Sequence, residues 1–292
     1  MRVRISNTPQ PLGLHVCAVT VLALAGPVVN WAATSAAQGL TCVEMEEFLR
    51  LGRIGAQHDI PKGVTVPKRA VLEYKGITHD AAIQTVDISK NTYQTARGSE
   101  LNFRDYWAYN VAGYELAKIL ELNMVPPYVE RKFGGQRASL SWWVNDAMME
   151  SDRISRKTEP PDTEGWNKQM YAVRVWHELI YDTDPNLTNL LITKDWQLWM
   201  IDFTRAFRWH KDLRDIKNLG QCDRRLLAKL RTLDKDVLNE KLSRWLRKAE
   251  IDALVARAGR IVEFFDKEVA TKGEAAVLYD FPRTQEACGA GL

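Results

Sequence analysis

The stretch of sequence that decides the fold is YDTDPNLTNLLI, at residues 181–192. Asp184 and Asn189 lie five positions apart in this polar loop, which follows a stretch with helical apolar spacing and leads into a short apolar strand. Thirteen residues after Asn189, Asp202 ends a second apolar run, LWMI at residues 198–201. A tight hairpin between the two runs would bring Asn189 and Asp202 together at one end.

Oxygen-bearing side chains at that end favour metal-assisted chemistry. Asn189 and Asp202 would offer Mg²⁺ two oxygen ligands, to be completed by phosphate oxygens and water. Asp184 would lie beside them, where a carboxylate can orient an acceptor hydroxyl and take its proton. The structural alternative is that these residues only form turns, as Asp and Asn commonly do, and that Asp202 caps the segment that follows it.

The spacing resembles the catalytic and metal-binding loops of the protein-kinase-like fold, in which Asp-x-x-x-x-Asn is followed by a hairpin that ends in the metal-binding Asp. Residues 183–189 and 201–203 are similar to the atypical branches of that fold, namely the HipA kinases, the phosphatidylinositol 3- and 4-kinases and the secretory-pathway kinases of the Golgi. The resemblance is specific over residues 166–208, and elsewhere it rests on the order of elements.

The resemblance implies a kinase-like phosphotransferase with ATP and Mg²⁺ as cofactors. Under it, Asp184 is the catalytic residue, Asn189 and Asp202 hold the metal, and the acceptor is a hydroxyl of an unknown protein, sugar or lipid. The main alternative is an exported kinase-like binding module, a pseudokinase without transfer activity. A further variant binds the nucleotide but transfers a different part of ATP, and a helical scaffold with an incidental hairpin lies outside the kinase class.

The same resemblance implies an N-terminal lobe that grips the nucleotide through a lysine on the third strand and a glutamate on the following helix. Glu115 stands where the glutamate is expected, whereas Gln84 stands at the expected lysine position. A glutamine amide can hydrogen-bond a phosphate but lacks the charge that offsets a triphosphate. Trp143 and Val144 fall where the family lays adenine against the connection between its lobes. The structural alternatives are a solvated helix charge for Glu115 and a core position for the tryptophan.

The order of predicted elements gives an α+β fold in two lobes, strand-rich at residues 43–150 and helix-rich at residues 151–292. Polar residues 151–166 read as a surface connection. Helices are predicted at residues 43–56, 104–122, 166–180, 224–233, 236–248 and 250–270, and strands at 69–74, 81–86, 128–132, 138–144, 189–193 and 197–203.

The first residues have the layout of a secretory signal. Arg2 and Arg4 precede a stretch without Asp, Glu, Lys or Arg that extends to Val43, and its apolar part ends in small residues. Residues 1–37 are therefore predicted to be a signal peptide, with an uncleaved membrane anchor as the alternative because the apolar run approaches the ~20 residues that span a bilayer. The protein is expected to be exported, periplasmic or secreted, and to meet a membrane only if this segment is kept.

Composition adds limits. The chain has 292 residues, of which 46% are hydrophobic and 26% charged, and a net charge of +3, so nothing in the balance favours a nucleic-acid partner. Neither GxGxxG nor GxxxxGK[ST] occurs, which argues against a Walker-type phosphate loop. After signal removal the cysteines are Cys42, Cys222 and Cys288, whose spacing defines no disulfide framework.

Overall fold

A computed structural model describes residues 39–60, 67–95 and 98–281. The predicted signal segment at residues 1–37 lies outside these residues, as does Cys288. Cys222 is a buried free thiol and Cys42 is disulfide-bonded. Within the described part of the chain, no helix has the length and apolar character needed to cross a membrane.

The N-terminal lobe is built on a five-stranded antiparallel sheet with the strand order β1-β2-β3-β7-β6. Alternate side chains of β2 and β3 face a small core closed on one side by α1, as expected for strands with one covered face. The elements of this lobe are α1 (Cys42–Leu51), β1 (Arg53–Asp59), β2 (Lys68–Tyr74), β3 (Ile77–Gln84), β4 (Asp87–Thr95), β5 (Gly98–Tyr106), α2 (Ala108–Ile119), β6 (Tyr128–Phe133) and β7 (Gln136–Trp142).

The β4–β5 hairpin forms a separate two-stranded sheet that the sequence analysis did not predict. Its strands are mostly exposed and polar, and Phe103 is a rare buried apolar residue in them, so no alternating apolar pattern marks them. The helix predicted at residues 104–122 consequently begins later, at Ala108. Residues 53–59 also differ from the prediction, because Gly52 ends α1 and the chain continues as β1.

The C-terminal lobe is mainly helical, and the predicted α+β fold with a strand-rich first lobe and a helix-rich second lobe is confirmed. A short helix occupies part of the predicted surface connection. The elements are β8 (Met148–Met149), α3 (Glu150–Ser155), α4 (Thr163–Ile180), β9 (Leu190–Ile192), β10 (Leu198–Met200), β11 (Cys222–Asp223), α5 (Arg224–Arg231), α6 (Lys235–Leu242), α7 (Lys248–Lys272), α8 (Glu274–Val277) and β12 (Leu278–Tyr279). Strands β8, β9 and β10 form one small sheet, and β11 pairs with β12.

One large apolar core joins α2 to the C-terminal lobe. Helix α7 supplies a stripe of buried residues at helical spacing, including Ile251, Leu254 and Ile261. Tyr114 and Leu116 of α2 belong to the same core. Helix α2 therefore packs with the second lobe as well as with its own sheet.

Glu130 on β6 links the sheet to the C-terminal lobe. Its carboxylate accepts hydrogen bonds from Arg244 Nε at 2.7 Å and Trp245 Nε1 at 2.9 Å, in the segment between α6 and α7, and from Arg137 Nε at 2.7 Å. Burial by itself would raise the pKa of Glu130, but the bonds from Arg137, Arg244 and Trp245 outweigh it and lower the pKa to about 2.

Replacement of this carboxylate should change the acid stability of the protein. Since the folded-state pKa of Glu130 is depressed, its contribution is present above the ordinary value of 4.5 and is lost as the pH falls through about 2. Glu130→Gln should lower the free energy of unfolding at pH 7 by about 1–2 kcal/mol, less than the full shift because solvent screens part of the interaction. It should also flatten the pH dependence between about pH 4.5 and 2.

Urea denaturation across that pH range measures both effects. The matched control is Glu240→Gln, because the Glu240 side chain is 72% exposed and its only described ion pair is with Lys241 at 3.5 Å. A Glu130→Gln variant with the pH profile of the wild type would contradict the assignment.

Arg257 lies at the centre of α7 and is fully buried. Its Nε donates to the carbonyl oxygen of Leu179 at 2.7 Å, and its Nη1 donates to the carbonyl oxygens of Arg208, at 2.9 Å, and His210. Burial lowers the pKa of Arg257 to about 10, so the group stays charged at neutral pH. This side chain holds the end of α4 against the segment that follows Phe207.

Removal of the Arg257 guanidinium should be strongly destabilising. Arg257→Leu leaves three carbonyl oxygens without their donor, two of them in buried hydrogen bonds, and we expect a loss of about 3 kcal/mol or more in the free energy of unfolding. The control is Arg260→Leu on the same helix, whose guanidinium is half exposed. Equal unfolding midpoints for the two variants in urea would show that the buried network is dispensable.

Candidate functional site

The predicted hairpin is present and brings its two ends together. Strands β9 and β10 pair antiparallel, with Met200 opposite Leu190, and the Ile201 N–H donates to the carbonyl oxygen of Asn189 at 3.0 Å. Asn189 and Asp202 therefore stand on neighbouring chain segments at the open end of the hairpin. Asn189 is half-buried and closes a short 3₁₀ turn that begins at Leu187.

Asp202 is held in an uncommon backbone conformation. Its φ of 59° lies in the left-handed region, which costs a non-glycine residue energy and is typical of functional turns. Its N–H points to the Tyr128 hydroxyl at 3.4 Å, and the Thr204 hydroxyl donates to its Oδ1 at 2.9 Å. Burial and the neighbouring charges of Asp105 and Asp182 raise the pKa of Asp202 to about 6, although the Thr204 hydroxyl opposes the shift.

Asp182 fixes the loop that carries Asp184. The buried Asp182 carboxylate accepts the Asp184 N–H at 2.9 Å and contacts His177 Nδ1 at 2.9 Å. The Asp184 carboxylate is half exposed and lies 3.3 Å from Arg205 Nη1. The sequence analysis did not single out Asp182, and its position two residues after the predicted helix at residues 166–180 was the available signal.

Helix α2 holds the residue that follows Asp202. Asn110 Oδ1 accepts the Phe203 N–H at 2.6 Å, and Asn110 Nδ2 donates to the Ser139 hydroxyl on β7 at 3.3 Å. One turn later, Gly113 passes so close to Phe203 that a Cβ added there would lie 2.6 Å from the ring. Both residues were missed from the sequence, where their spacing of three along a helix was the signal.

Gln84 and Glu115 occupy different surroundings. Gln84 is buried at the end of β3, opposite Ser139, and its Oε1 accepts the N–H groups of Thr85 and Val86. Glu115 forms an ion pair with Lys118 on its own helix at 3.0 Å. The α2 side chain that reaches the strand beside Gln84 is thus Asn110, through Ser139.

Trp143 and Val144 lie in the connection that leaves β7 for the second lobe, and both are half-buried. The Trp143 N–H donates to the carbonyl oxygen of Asp80 at 3.2 Å, and the Arg69 guanidinium lies 4.2 Å from the centre of its ring. The indole face is therefore already engaged by a cation. The contact of Trp143 and Val144 with adenine stays a prediction.

The donor set at the hairpin mouth suits a hard divalent cation. Asn189 and Asp202 supply amide and carboxylate oxygens, and Asp105, at the end of β5, adds a buried carboxylate whose Oδ1 has no hydrogen-bond partner among the described residues. Burial raises the pKa of Asp105, with Thr204 and Arg205 opposing the shift. In the described part of the chain, no three His, Cys, Asp or Glu side chains are grouped closely enough to bind a metal by themselves, so further ligands would come from a bound phosphate and water.

Comparisons with known proteins find similar solved structures but no relative by sequence. No protein-family model matches the chain, and no curated protein matches it. The crystal structure of a proinflammatory kinase, CtkA, from Helicobacter pylori is similar with a TM-score of 0.45 and 8% sequence identity, over 73% of this chain and 92% of that one. A TM-score of this size does not establish a shared fold, so the kinase-like interpretation rests on the two-lobed α+β architecture and the geometry of the hairpin.

Proposed function

We propose that this protein is a kinase-like phosphotransferase that uses Mg²⁺-ATP to phosphorylate a hydroxyl group. The observation that supports it is that the backbone carries Asn189 and Asp202 side by side at one end of the β9–β10 hairpin, with Asp184 on the loop that enters the same hairpin. Kinase-like transfer needs this combination of metal ligands and a nearby base. In this proposal the nucleotide lies between the five-stranded sheet and the hairpin.

Each side chain has a distinct role in the proposed reaction. Asn189 and Asp202 would hold Mg²⁺, which supplies positive charge to the phosphate oxygens when bound. Asp184, positioned by Arg205 and by the Asp182 carboxylate, would accept the proton of the acceptor hydroxyl. The acceptor oxygen forms the new bond to the γ-phosphorus as the bond to the β-phosphate oxygen breaks, and ADP leaves.

Electrostatics support a cation beside Asp202. The carboxylates of Asp105 and Asp182 both disfavour the ionised form of Asp202, and one oxygen of Asp105 lacks a hydrogen bond among the described residues. Buried carboxylates of like charge are unfavourable unless a cation or a proton compensates them. A divalent ion at the hairpin mouth would provide that compensation.

The second candidate is a kinase-like binding module without transfer activity. It is favoured by the N-terminal lobe, where the neutral Gln84 occupies the expected lysine position and Glu115 is paired with Lys118. Without a lysine at that position, the triphosphate would lack a charged partner on the third strand. This candidate predicts nucleotide or ligand binding without turnover.

The proposed site of action is outside the cytoplasm. This proposal rests on the charge-free apolar stretch that follows Arg4 and on the small residues near Ala37. An exported kinase requires ATP in its own compartment, so a secretory compartment that imports ATP suits the proposal best.

Substitutions in the hairpin should separate binding from catalysis. Asp202→Ala should weaken Mg²⁺-dependent ATP binding at least tenfold because it removes a metal ligand. Asp184→Asn should leave ATP binding nearly unchanged but lower turnover about 100-fold or more, since the base is lost. Calorimetry with and without Mg²⁺ measures binding, and release of ADP measures turnover.

The control is Asp195→Asn, an exposed carboxylate at the turn end of the same hairpin. If the wild type binds Mg²⁺-ATP without turnover, the binding module is the better description. If wild type and Asp202→Ala both fail to bind ATP, the nucleotide site is wrong.

Asn110 should couple α2 to the nucleotide site. Asn110→Ala leaves the buried Phe203 N–H without its acceptor, and we expect a loss of about 1–3 kcal/mol in the free energy of unfolding. It should also weaken Mg²⁺-ATP binding, because the backbone next to Asp202 is no longer fixed. Urea denaturation and calorimetry check the two effects, with the exposed Asn167→Ala on α4 as control. A less stable Asn110→Ala variant with wild-type ATP affinity would limit α2 to a structural role.

A further inference from the structure

A cleft of about 880 Å³ opens between the β4–β5 hairpin and the loops of the C-terminal lobe, with Asp184 on its wall. Gln84, Asn189 and Asp202 do not line it, so it is distinct from the proposed nucleotide site. Three acidic residues line it, Glu100, Asp184 and Glu250. Six cationic residues line it, Lys90, Arg104, Arg205, Arg208, Arg214 and Arg247.

The acidic side chains of the cleft are already engaged. Glu100 on β5 bridges Arg205 Nη2 at 2.9 Å and Arg208 Nη2 at 2.7 Å. Glu250 accepts hydrogen bonds from the Tyr109 hydroxyl at 2.6 Å and from the Arg247 N–H at 2.7 Å. The positive charge of the cleft therefore exceeds the negative charge that its own walls supply.

Two of the arginines keep their charge available to a ligand. The exposed Arg214 donates through Nη1 to the neutral carbonyl oxygen of Asp182 at 2.6 Å, which places its guanidinium next to the Asp184 loop without neutralising it. The exposed Arg247 forms no ion pair with any other residue that the structure describes. Guanidinium groups of this kind bind phosphate oxygens with paired hydrogen bonds.

Arg208 gives an independent indication of an anion. The residue is 6% exposed, yet its Nη1 has no hydrogen-bond partner in the described part of the chain. A buried guanidinium N–H without an acceptor is unfavourable. Because Arg208 lines the cleft, an oxygen-bearing anion that displaced the atoms covering Nη1 would supply the acceptor.

Large apolar side chains stand beside these cations. Trp209 is 50% exposed and Leu101 is 68% exposed, and both line the cleft. Clefts that bind small molecules combine apolar walls with a few polar groups that fix orientation. The combination suits a ligand with a carbon skeleton and an anionic group.

We propose that this cleft binds the acceptor and that the acceptor already carries a phosphate group. The inference rests on the proposed function, because it assigns the second substrate of the same reaction. Arg214 and Arg247 hold the existing phosphate, while the hydroxyl to be modified faces Asp184. The acceptor oxygen bonds to the γ-phosphorus of ATP, the bond to the β-phosphate oxygen breaks, and the hydroxyl proton passes to Asp184. The product carries one phosphate more than the acceptor.

Calorimetry with inorganic pyrophosphate, without Mg²⁺ or nucleotide, tests the cleft. The double variant Arg214→Gln, Arg247→Gln should bind this probe at least tenfold more weakly than the wild type. The control is Arg156→Gln, Arg225→Gln, which removes the same charge from two exposed positions outside the cleft. Asp202→Ala should retain pyrophosphate binding.

Two further arms identify the source of the phosphate. Glycerol 3-phosphate is compared with glycerol, and vesicles of phosphatidylglycerol are compared with vesicles of phosphatidylcholine. Phosphatidylcholine also carries a phosphate, but its choline offsets the charge and its headgroup has no free hydroxyl. Binding of glycerol 3-phosphate or of phosphatidylglycerol that is lost in the cleft variant supports the proposal and names a soluble or a lipid acceptor.

Several results would overturn it: no pyrophosphate binding by the wild type, equal binding by the two double variants, or glycerol binding as tightly as its phosphate. If Asp202→Ala loses ATP while the cleft variant keeps pyrophosphate, the proposed function stands and this inference fails. If the wild type does not bind Mg²⁺-ATP but the cleft variant alone loses pyrophosphate, the cleft stands and the proposed function fails.

Discussion

The buried guanidinium of Arg257 is the constraint on which the candidate site depends. It donates hydrogen bonds to backbone carbonyl oxygens at the end of α4 and in the segment after Phe207, two stretches far apart in the sequence. The loop of Asp184 begins where α4 ends, and the second stretch closes the turn that starts at Asp202. A charged donor in a low-dielectric interior tolerates little displacement of its acceptors. This side chain of α7 therefore reinforces direct contacts between the two stretches, in which the Phe207 N–H donates to the carbonyl oxygen of Ile180 at 2.6 Å and the Thr183 N–H donates to that of Arg205 at 3.3 Å.

A separate set of contacts holds α2 against α1. Glu46 on α1 accepts hydrogen bonds from the Tyr114 hydroxyl at 2.9 Å and from Lys118 Nζ at 3.0 Å. Burial by itself would raise the pKa of Glu46, but Lys118, Arg50 and Tyr114 together lower it. The N-terminal helix thus anchors the far end of α2, while Asn110 near its beginning holds the backbone beside Asp202.

Local sequence patterns predicted the elements whose interacting residues are close together in the chain. The β2–β3 hairpin with its Lys75-Gly76 turn and the β9–β10 hairpin were accessible because strand, turn and strand are contiguous. The side chains that fix the site could not be predicted in this way, because their partners are far away in the sequence. Asn110 accepts a hydrogen bond from Phe203, and Glu100 accepts one from Arg208.

The sequence did not reveal which polar residue of α2 faces the candidate site, Glu115 or Asn110. The two residues lie five positions apart, roughly 140° around a helix. Nearly every residue from Ala108 to Ala117 is buried, so the apolar pattern does not reveal which face of α2 meets the hairpin. The polar β4–β5 hairpin has no alternating apolar pattern. Its contact with the C-terminal lobe is seen in the structure through the ion pairs of Glu100 with Arg205 and Arg208.

The contact between Gly113 and the ring of Phe203 has a mechanical consequence. A hydrogen atom is all that separates the α2 backbone from the aromatic ring, so no deformable side chain can absorb a change in their separation. Helix α2 therefore cannot move toward this part of the chain without displacing the ring of Phe203, the residue that directly follows Asp202.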